Sequence, residues 1–105
     1  MANWVRIARV DECPNGQAIE RVAGDRIVAL FQVGGAFFAL DGICPHQGGP
    51  LAGGCLTGDI VTCPWHGWQF DVRSGQHQTS RTIVQPRFDV RVEAGEVFVD
   101  LESGR

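Results

Sequence analysis

Turn-forming residues divide this chain of 105 residues into short apolar segments. Turn signals recur about every ten residues, and the runs between them are rich in Val, Ile and Phe. No window keeps the 3.6-residue period of an amphipathic helix over three turns. The pattern predicts an all-β fold with at most a short helical turn near Leu51 to Cys55.

Two hairpins are the clearest predicted elements. Segments 27–33 and 36–40 flank two adjacent glycines, which accept the positive φ angles of a tight hairpin turn. Segment 88–93 alternates apolar and polar residues, and segment 96–101 follows after Ala94-Gly95. Shorter strands are predicted at 4–10, 18–22, 59–62 and 69–72.

Composition narrows the possible functions. Hydrophobic residues make up 44% of the chain and charged residues 20%, so we expect residues 1–105 to form a single folded domain. The net charge of −3 and the absence of any Lys or Arg run argue against nucleic acid as a partner. The sequence shows no membrane span and no secretory signal, so the expected location is the cytoplasm.

Two short motifs carry the chemistry of the chain. Cys44-Pro45-His46 and Cys63-Pro64-Trp65-His66 each place a cysteine close to a histidine in a chain with only three histidines. Both motifs fall in predicted loops between strands, where a rigid sheet can position ligands. In a reducing compartment, cysteines in such a pattern indicate metal or redox use rather than disulfides.

The arrangement of the four ligands favours one type of centre. Structural zinc sites with two cysteines and two histidines usually group like ligands together, whereas each motif here holds one of each. A [2Fe–2S] cluster with two cysteines on one iron and two histidines on the other fits this interleaving, and that centre is the Rieske type.

The two motifs, with Gly48 after the first and Gly67-Trp68 after the second, resemble the cluster-binding loops of the Rieske iron–sulfur family over essentially the whole chain. The resemblance implies a small antiparallel β sandwich with two cluster-binding loops at one end, around 42–51 and 62–70. It implies one [2Fe–2S] cluster. Its ligands would be Cys44 and Cys63 on the inner iron, with His46 and His66 on the outer iron.

Departures from the respiratory branch of the family refine this expectation. That branch has a disulfide between the loops, where this chain has Gly49 and Trp65. It also has a serine and a tyrosine whose hydroxyls bond to the cluster side, where this chain has Trp68 and Phe70. Hydrogen bonds to cluster sulfur stabilise the reduced state, so their loss predicts a low reduction potential.

The resemblance implies a soluble, monomeric one-electron carrier with no catalytic site of its own. Its partners would be a flavin reductase and a terminal oxygenase. One alternative is the small subunit of an assimilatory nitrite reductase, bound to a large subunit. A structural metal-binding domain that mediates assembly is the alternative from another class.

Several residues outside the ligand set have simpler expected roles. One spare histidine cannot supply the two histidines and carboxylate of a mononuclear oxygenase iron, and His77, among polar neighbours, is expected to be a solvated loop residue. Trp68 is expected to cover the cluster, and Trp65 either covers it or faces a partner. Cys13 and Cys55 are expected to be free thiols.

Overall fold

The computed structural model describes residues 2–45, 48–65 and 67–104, and within these ranges the chain is almost entirely β structure. The strands are β1 (Trp4–Arg9), β2 (Ala18–Ala23), β3 (Arg26–Val33), β4 (Ala36–Asp41), β5 (Cys55–Thr57), β6 (Ile60–Thr62), β7 (Gln69–Asp71), β8 (Arg87–Glu93) and β9 (Glu96–Asp100). Single 3₁₀ turns lie at Val10–Glu12, Leu51–Gly53 and Leu101–Ser103.

The strands form two antiparallel sheets. The larger sheet has the order β1-β9-β8-β4-β3-β2, and the smaller has the order β5-β6-β7. The small sheet and its flanking loops are one insertion between β4 and β8, and both cysteine motifs lie within it. The expected antiparallel β fold is therefore confirmed.

Both predicted hairpins are present. Strands β3 and β4 pair from Val28↔Asp41 to Val33↔Ala36, around Gly34 and Gly35, which both have positive φ. Strands β8 and β9 pair up to Glu93↔Glu96 around Ala94 and Gly95. Ala94 adopts a φ of 51°, so this turn has the same twist as the glycine turn although it has a side chain at its first position.

The segment after the first motif differs in part from the expectation. The helical turn is present but ends at Gly53, and Cys55–Thr57 forms a strand that pairs with β6. A three-residue strand is too short to show a period of two, so its pairing with β6 decides its conformation.

Strand β3 is buried on both faces and separates two apolar cores. Val28 and Leu30 pack with residues of β1, β8 and β9, whereas Ala29 and Phe31 pack under the small sheet. Because successive side chains of a strand point to opposite faces, double burial explains why residues 28–31 form an unbroken apolar run. The second core also contains Cys44 and Cys63, so the large sheet directly supports the cysteine loops.

No helix in the described part of the chain is long and apolar enough to cross a membrane.

Candidate metal centre

The loop that holds Cys44 is closed by its own backbone. The N–H of Cys44 donates to the carbonyl of Gly49 at 2.8 Å, and the N–H of Gly48 donates back to the carbonyl of Cys44 at 2.9 Å. Gly48 has a φ of +73°, which a residue with a side chain rarely adopts. The backbone conformation therefore fixes Cys44 at the base of the loop, with Pro45 exposed beyond it.

The entry to this loop is tied to the end of β4. The Asp41 carboxylate accepts a hydrogen bond from the N–H of Ile43 at 3.0 Å, as in an Asx turn. Its other oxygen, Oδ2, lies 3.1 Å from the guanidinium of Arg26. These contacts fix the direction in which the chain leaves the sheet.

The loop that holds Cys63 connects β6 to β7. The N–H of Cys63 donates to the carbonyl of Trp68 at 2.7 Å, which closes the loop at its base. Gly67 has a φ of +72°, and Pro64 and Trp65 are exposed at the tip. Each cysteine is therefore at the buried base of a loop whose tip faces solvent.

The two cysteines come together from these separate loops. Cys44 and Cys63 are each 1% exposed, and both belong to the core beneath the small sheet. Burial raises the pKa of the Cys63 thiol, and the hydrogen bond and charge interaction with Cys44 raise it further, against a backbone hydrogen bond from Trp65. Two adjacent buried thiols need a bound cation if both are to ionise.

Gly49 and Trp65 face each other beside Cys63. A Cβ atom placed on Gly49 would lie 3.0 Å from Sγ of Cys63, 3.0 Å from Cγ of Trp65 and 3.2 Å from its Cβ. These are the positions at which the respiratory branch was expected to have a disulfide. The structure brings the two positions together, and the described cysteines are all free thiols.

A third segment contacts the Cys44 loop, which the sequence did not reveal. Gln85 is 1% exposed, and its side-chain amide donates to the carbonyls of Asp41 and Ile43, both at 2.7 Å. A buried glutamine amide with two backbone acceptors holds the approach to Cys44 in place. The only sequence signal was a polar residue next to Pro86 at the start of β8.

The expectation for His77 was wrong. His77 is 8% exposed and packs edge-to-face on Trp68, with ring centroids 4.8 Å apart, and on Phe70 at 5.2 Å. Its Nδ1 atom accepts hydrogen bonds from the backbone N–H groups of Thr79 and Ser80, both at 3.1 Å. Gln78 and Thr79 are exposed, whereas the ring of His77 is buried between the turn at Thr79 and Ser80 and the rings of Trp68 and Phe70.

The histidine half of the expected ligand set, His46 and His66, lies outside the described residues. Among the residues that are described, no group of three or more His, Cys, Asp or Glu side chains is arranged to hold a metal ion. The cysteine half fits the inner iron of a Rieske cluster, because two buried thiols meet at the bases of two loops. In the sequence, His46 follows Pro45 and His66 follows Trp65, and Pro45 and Trp65 are both exposed.

The remaining cysteines meet their expectation as free thiols, whereas the expectation that Trp68 covers the cluster stays a prediction. Cys13 is buried in the other core and Cys55 is exposed, and both are free thiols. Trp68 is partly buried against the core that contains the ligand cysteines, whereas Trp65 is 49% exposed at its loop tip. Trp65 therefore faces outward, where a partner can contact it.

Comparison with known proteins is consistent with this geometry. A sequence profile described as "Rieske [2Fe-2S] domain" matches residues 3–93. The chain is 36% identical over 100 residues to the ferredoxin component of an alkene monooxygenase system from Xanthobacter autotrophicus, covering 94% of this chain and 82% of the relative. It is 34% identical to ferredoxin CarAc from Metapseudomonas resinovorans, covering 91% and 92% of the two chains.

Solved structures show the same likeness. A complex of reduced oxygenase and oxidised ferredoxin in carbazole 1,9a-dioxygenase matches with a TM-score of 0.84 at 30% identity, covering 92% of each chain. A nitrite reductase small subunit from Mycobacterium tuberculosis matches with a TM-score of 0.86 at 20% identity, covering 94% and 95%. At that identity the second likeness concerns the fold alone.

Proposed function

This chain belongs to the Rieske [2Fe–2S] domain family, and we propose that it is a one-electron carrier that passes electrons from a reductase to a terminal oxygenase. The observation that carries the proposal is the meeting of Cys44 and Cys63 at the buried bases of two loops. The relatives named as ferredoxin components of monooxygenase and dioxygenase systems support it.

The proposed ligand set is Cys44, Cys63, His46 and His66, within one domain that spans residues 1–105. The bound cluster supplies a centre that accepts and releases one electron. The chain buries the two thiols, closes each cysteine loop by backbone hydrogen bonds at its base and keeps Pro45, Pro64 and Trp65 at the surface. Neutral imidazoles on the outer iron would make the reduced centre less negative than four thiolates, which eases electron uptake.

We propose that the chain has no catalytic site of its own. Oxygen activation at a mononuclear iron needs two histidines and a carboxylate, and His77 is the only histidine beyond the ligand set. The Nδ1 atom of His77 accepts two backbone hydrogen bonds, and its ring is buried. It is therefore unsuited to bind a second metal.

The surface around the proposed cluster favours an apolar redox partner. Between Gly42 and Phe70, the only Asp, Glu, Lys or Arg is Asp59. Asp59 precedes β6 and Cys63 follows β6, so the carboxylate and the thiol lie at opposite ends of this strand. The guanidinium of Arg73 lies 3.0 Å from the Asp59 carboxylate and neutralises its charge. Exposed apolar side chains at the loops include Ile43 and Trp65. Docking at this end would depend on shape and apolar contact, as suits a small transient interface.

The alternatives receive less support. The likeness to nitrite reductase small subunits is one of fold, and the relatives of 30% identity or more considered above are named as ferredoxins. A structural assembly domain would not need its metal site close to the protein surface, whereas here both cysteine loops have exposed tips.

Substitution of each proposed ligand by serine or alanine tests the cluster assignment. C44S, C63S, H46A and H66A should abolish the reduced-state EPR signal of the cluster, because each removes an iron ligand. C13S and C55S are matched controls, since both change a cysteine outside the set, and they should retain the signal. A normal signal in C44S or C63S would refute the assignment.

Electron delivery is tested separately. The dithionite-reduced protein is mixed with an oxidised Rieske oxygenase, and electron arrival is followed by the absorbance change of the oxygenase. Reoxidation of the carrier without reduction of any oxygenase or nitrite reductase partner would overturn the carrier function while leaving the cluster assignment intact.

A further inference from the structure

Residues 75–86, here called the brace, connect β7 to β8 and contact both cysteine loops. One end is Gln85, whose amide donates to Asp41 and Ile43 on the approach to Cys44. The other contact is His77, whose ring lies against Trp68 and Phe70 after Cys63. The brace is thus one continuous segment that touches the two loops from the side of the core.

The brace is held rigidly at its neck. The N–H of Gln85 donates to the carbonyl of Gly75 at 2.7 Å, and the N–H of Gly75 donates to the carbonyl of Asp71 at 2.7 Å. A Cβ atom at Gly75 would lie 2.2 Å from the carbonyl oxygen of Gln85, and the φ of Gly75 is +81°. Only glycine therefore fits this neck without displacing the backbone.

The orientation of the His77 ring is fixed inside the brace. Because Nδ1 accepts the N–H groups of Thr79 and Ser80, it bears no proton, and the ring proton of the neutral imidazole is on Nε2. Nε2 is buried and has no hydrogen-bond partner among the described residues. The rings of Trp68 and Phe70 lie edge-to-face against the imidazole.

The contact with Trp68 reaches the ligand loop. The carbonyl of Trp68 accepts the hydrogen bond that closes the Cys63 loop, at 2.7 Å. Phe70 packs in the same core as Cys44 and Cys63. A shift of the His77 ring would therefore move the residue that fixes the base of the Cys63 loop.

We propose that the brace sets the position of the two cysteine loops relative to each other, with Gln85 and His77 as its positioning residues. Gln85 acts on the Cys44 loop, and His77 acts on the Cys63 loop through Trp68. The proposal rests on the cluster assignment made above, because the two loops need a fixed separation only if they hold one group between them. Residues that orient ligands in this way commonly affect metal affinity without touching the metal.

Variants of the cluster-loaded protein test the proposal. H77N keeps an acceptor near the position of Nδ1 but removes the ring that contacts Trp68. Q85L removes the donor to Asp41 and Ile43, and G75A displaces the neck without changing either positioning residue. The matched control is Q78A, because Gln78 is exposed and adjacent to His77.

Each of H77N, Q85L and G75A should lose the cluster about tenfold faster than the unaltered protein, with a shifted reduction potential and altered visible circular dichroism. Q78A should match the unaltered protein. In the double variant H77N/Q85L, the fold increase in the rate of cluster loss should be smaller than the product of the fold increases in the two single variants. The reason is that both substitutions disrupt the same brace. A variant that folds but takes up no cluster is scored as having lost the cluster, which supports the proposal.

Unchanged half-life and potential in H77N, Q85L and G75A would overturn the proposal, and so would single effects that simply multiply in the double variant. If H77N does not fold, H77F, which keeps a ring against Trp68 but loses both the Nδ1 acceptor and the Nε2 proton, is judged by the same criteria. These measurements involve no reductase or oxygenase. Failure of the brace and failure of the carrier function are therefore separate results.

Discussion

Gly49 lies directly against Trp65, and a Cβ atom on Gly49 would be 3.2 Å from the Cβ of Trp65. Paired cysteines in disulfides have Cβ atoms about 3.5 to 4.5 Å apart. A shift of a few tenths of an ångström would therefore allow a bridge between these positions. The finding places the two cysteine loops within cross-linking distance of each other beside Cys63.

The double variant G49C/W65C should consequently form a disulfide when it is expressed with its cluster and oxidised. Thiol titration and intact-mass measurement check this, with G49C and W65C alone as controls. If the oxidised double variant keeps both new thiols free, the two loops do not approach each other in solution as they do here. A disulfide that forms only after cluster loss would also contradict the arrangement.

Features that depend on neighbouring residues in the sequence were predictable, whereas features that depend on contacts between distant residues were not. The strands of the hairpins were predictable because adjacent residues, such as Gly34 and Gly35, dictate a local turn. The burial of His77 was not, because the rings that cover it belong to β7 and its approach. Gln85 was missed for the same reason, since its acceptors at Asp41 and Ile43 are distant in sequence.

The placement of the two cysteines in loops was predictable because the turn residues around them are local in sequence. Cys44 and Cys63 each lie where a backbone hydrogen bond closes a glycine-containing loop, and the motif already contained those glycines. The ligand roles of Cys44, Cys63, His46 and His66 stay a prediction. The core beneath the cysteines could not be predicted from motif spacing, because β3 and the small sheet form it together.

The reduction potential should lie at the low end of the Rieske range of about −150 to +300 mV. The reason is that Trp68 and Phe70 have no hydroxyl, so they cannot donate an O–H hydrogen bond to the cluster side, and the chain contains no tyrosine. Redox titration measures it. A value above about +150 mV would show that the missing hydroxyls do not set the potential.

A hydroxyl restored at Phe70 should raise that potential. Phe70 is fully buried in the same core as Cys44 and Cys63, so F70Y places an O–H donor near the proposed site. F38Y is the matched control, because Phe38 packs partly buried at the edge of the same core. F70Y should exceed both F38Y and the unaltered protein. Equal potentials in all three would contradict the hydrogen-bond explanation.

Stability should fall at alkaline pH because of Cys13. Burial raises the pKa of this thiol, which donates to the carbonyls of Gln17 and Leu30 in the described core. The unfolded chain ionises Cys13 at a lower pH than the folded chain does. The stabilisation is therefore complete below the ordinary thiol pKa of about 8.5 and is lost as pH rises toward the folded value.

The comparison with C13A isolates this effect, because the chain contains neither lysine nor tyrosine and the other three cysteines are common to both proteins. In urea unfolding of the cluster-loaded proteins between about pH 8 and 10.5, the unaltered protein should lose stability relative to C13A, with a slope of at most about 1.4 kcal/mol per pH unit from Cys13. C13A should be less stable at neutral pH by about 1 kcal/mol but should lose that slope. C55S should keep it. If C13A shows the same dependence of unfolding free energy on pH as the unaltered protein, a group other than Cys13 causes it.

Electron delivery to the terminal partner should depend only weakly on salt. The loop end of the molecule lacks charged side chains from Gly42 to Phe70 apart from Asp59, which is paired with Arg73. Electrostatic steering would raise the association rate about tenfold or more at low ionic strength and would vanish as salt screens it. We expect less than about a threefold change between about 0.01 M and 0.5 M salt.

We expect Trp65 to make the largest side-chain contribution to docking with the terminal partner. Its side chain is 49% exposed at the tip of the Cys63 loop, and large aromatic residues are frequent anchors of interfaces. W65A should slow reduction of the partner about tenfold while cluster content and potential stay unchanged. V92A is the control, because Val92 is 47% exposed and pairs with Val97 next to the β8–β9 turn, whereas β8 meets the loop end of β4 at Arg87. If W65A loses its cluster, Trp65 is a structural cover of the site; if the partner is reduced at the normal rate, docking does not use this tip.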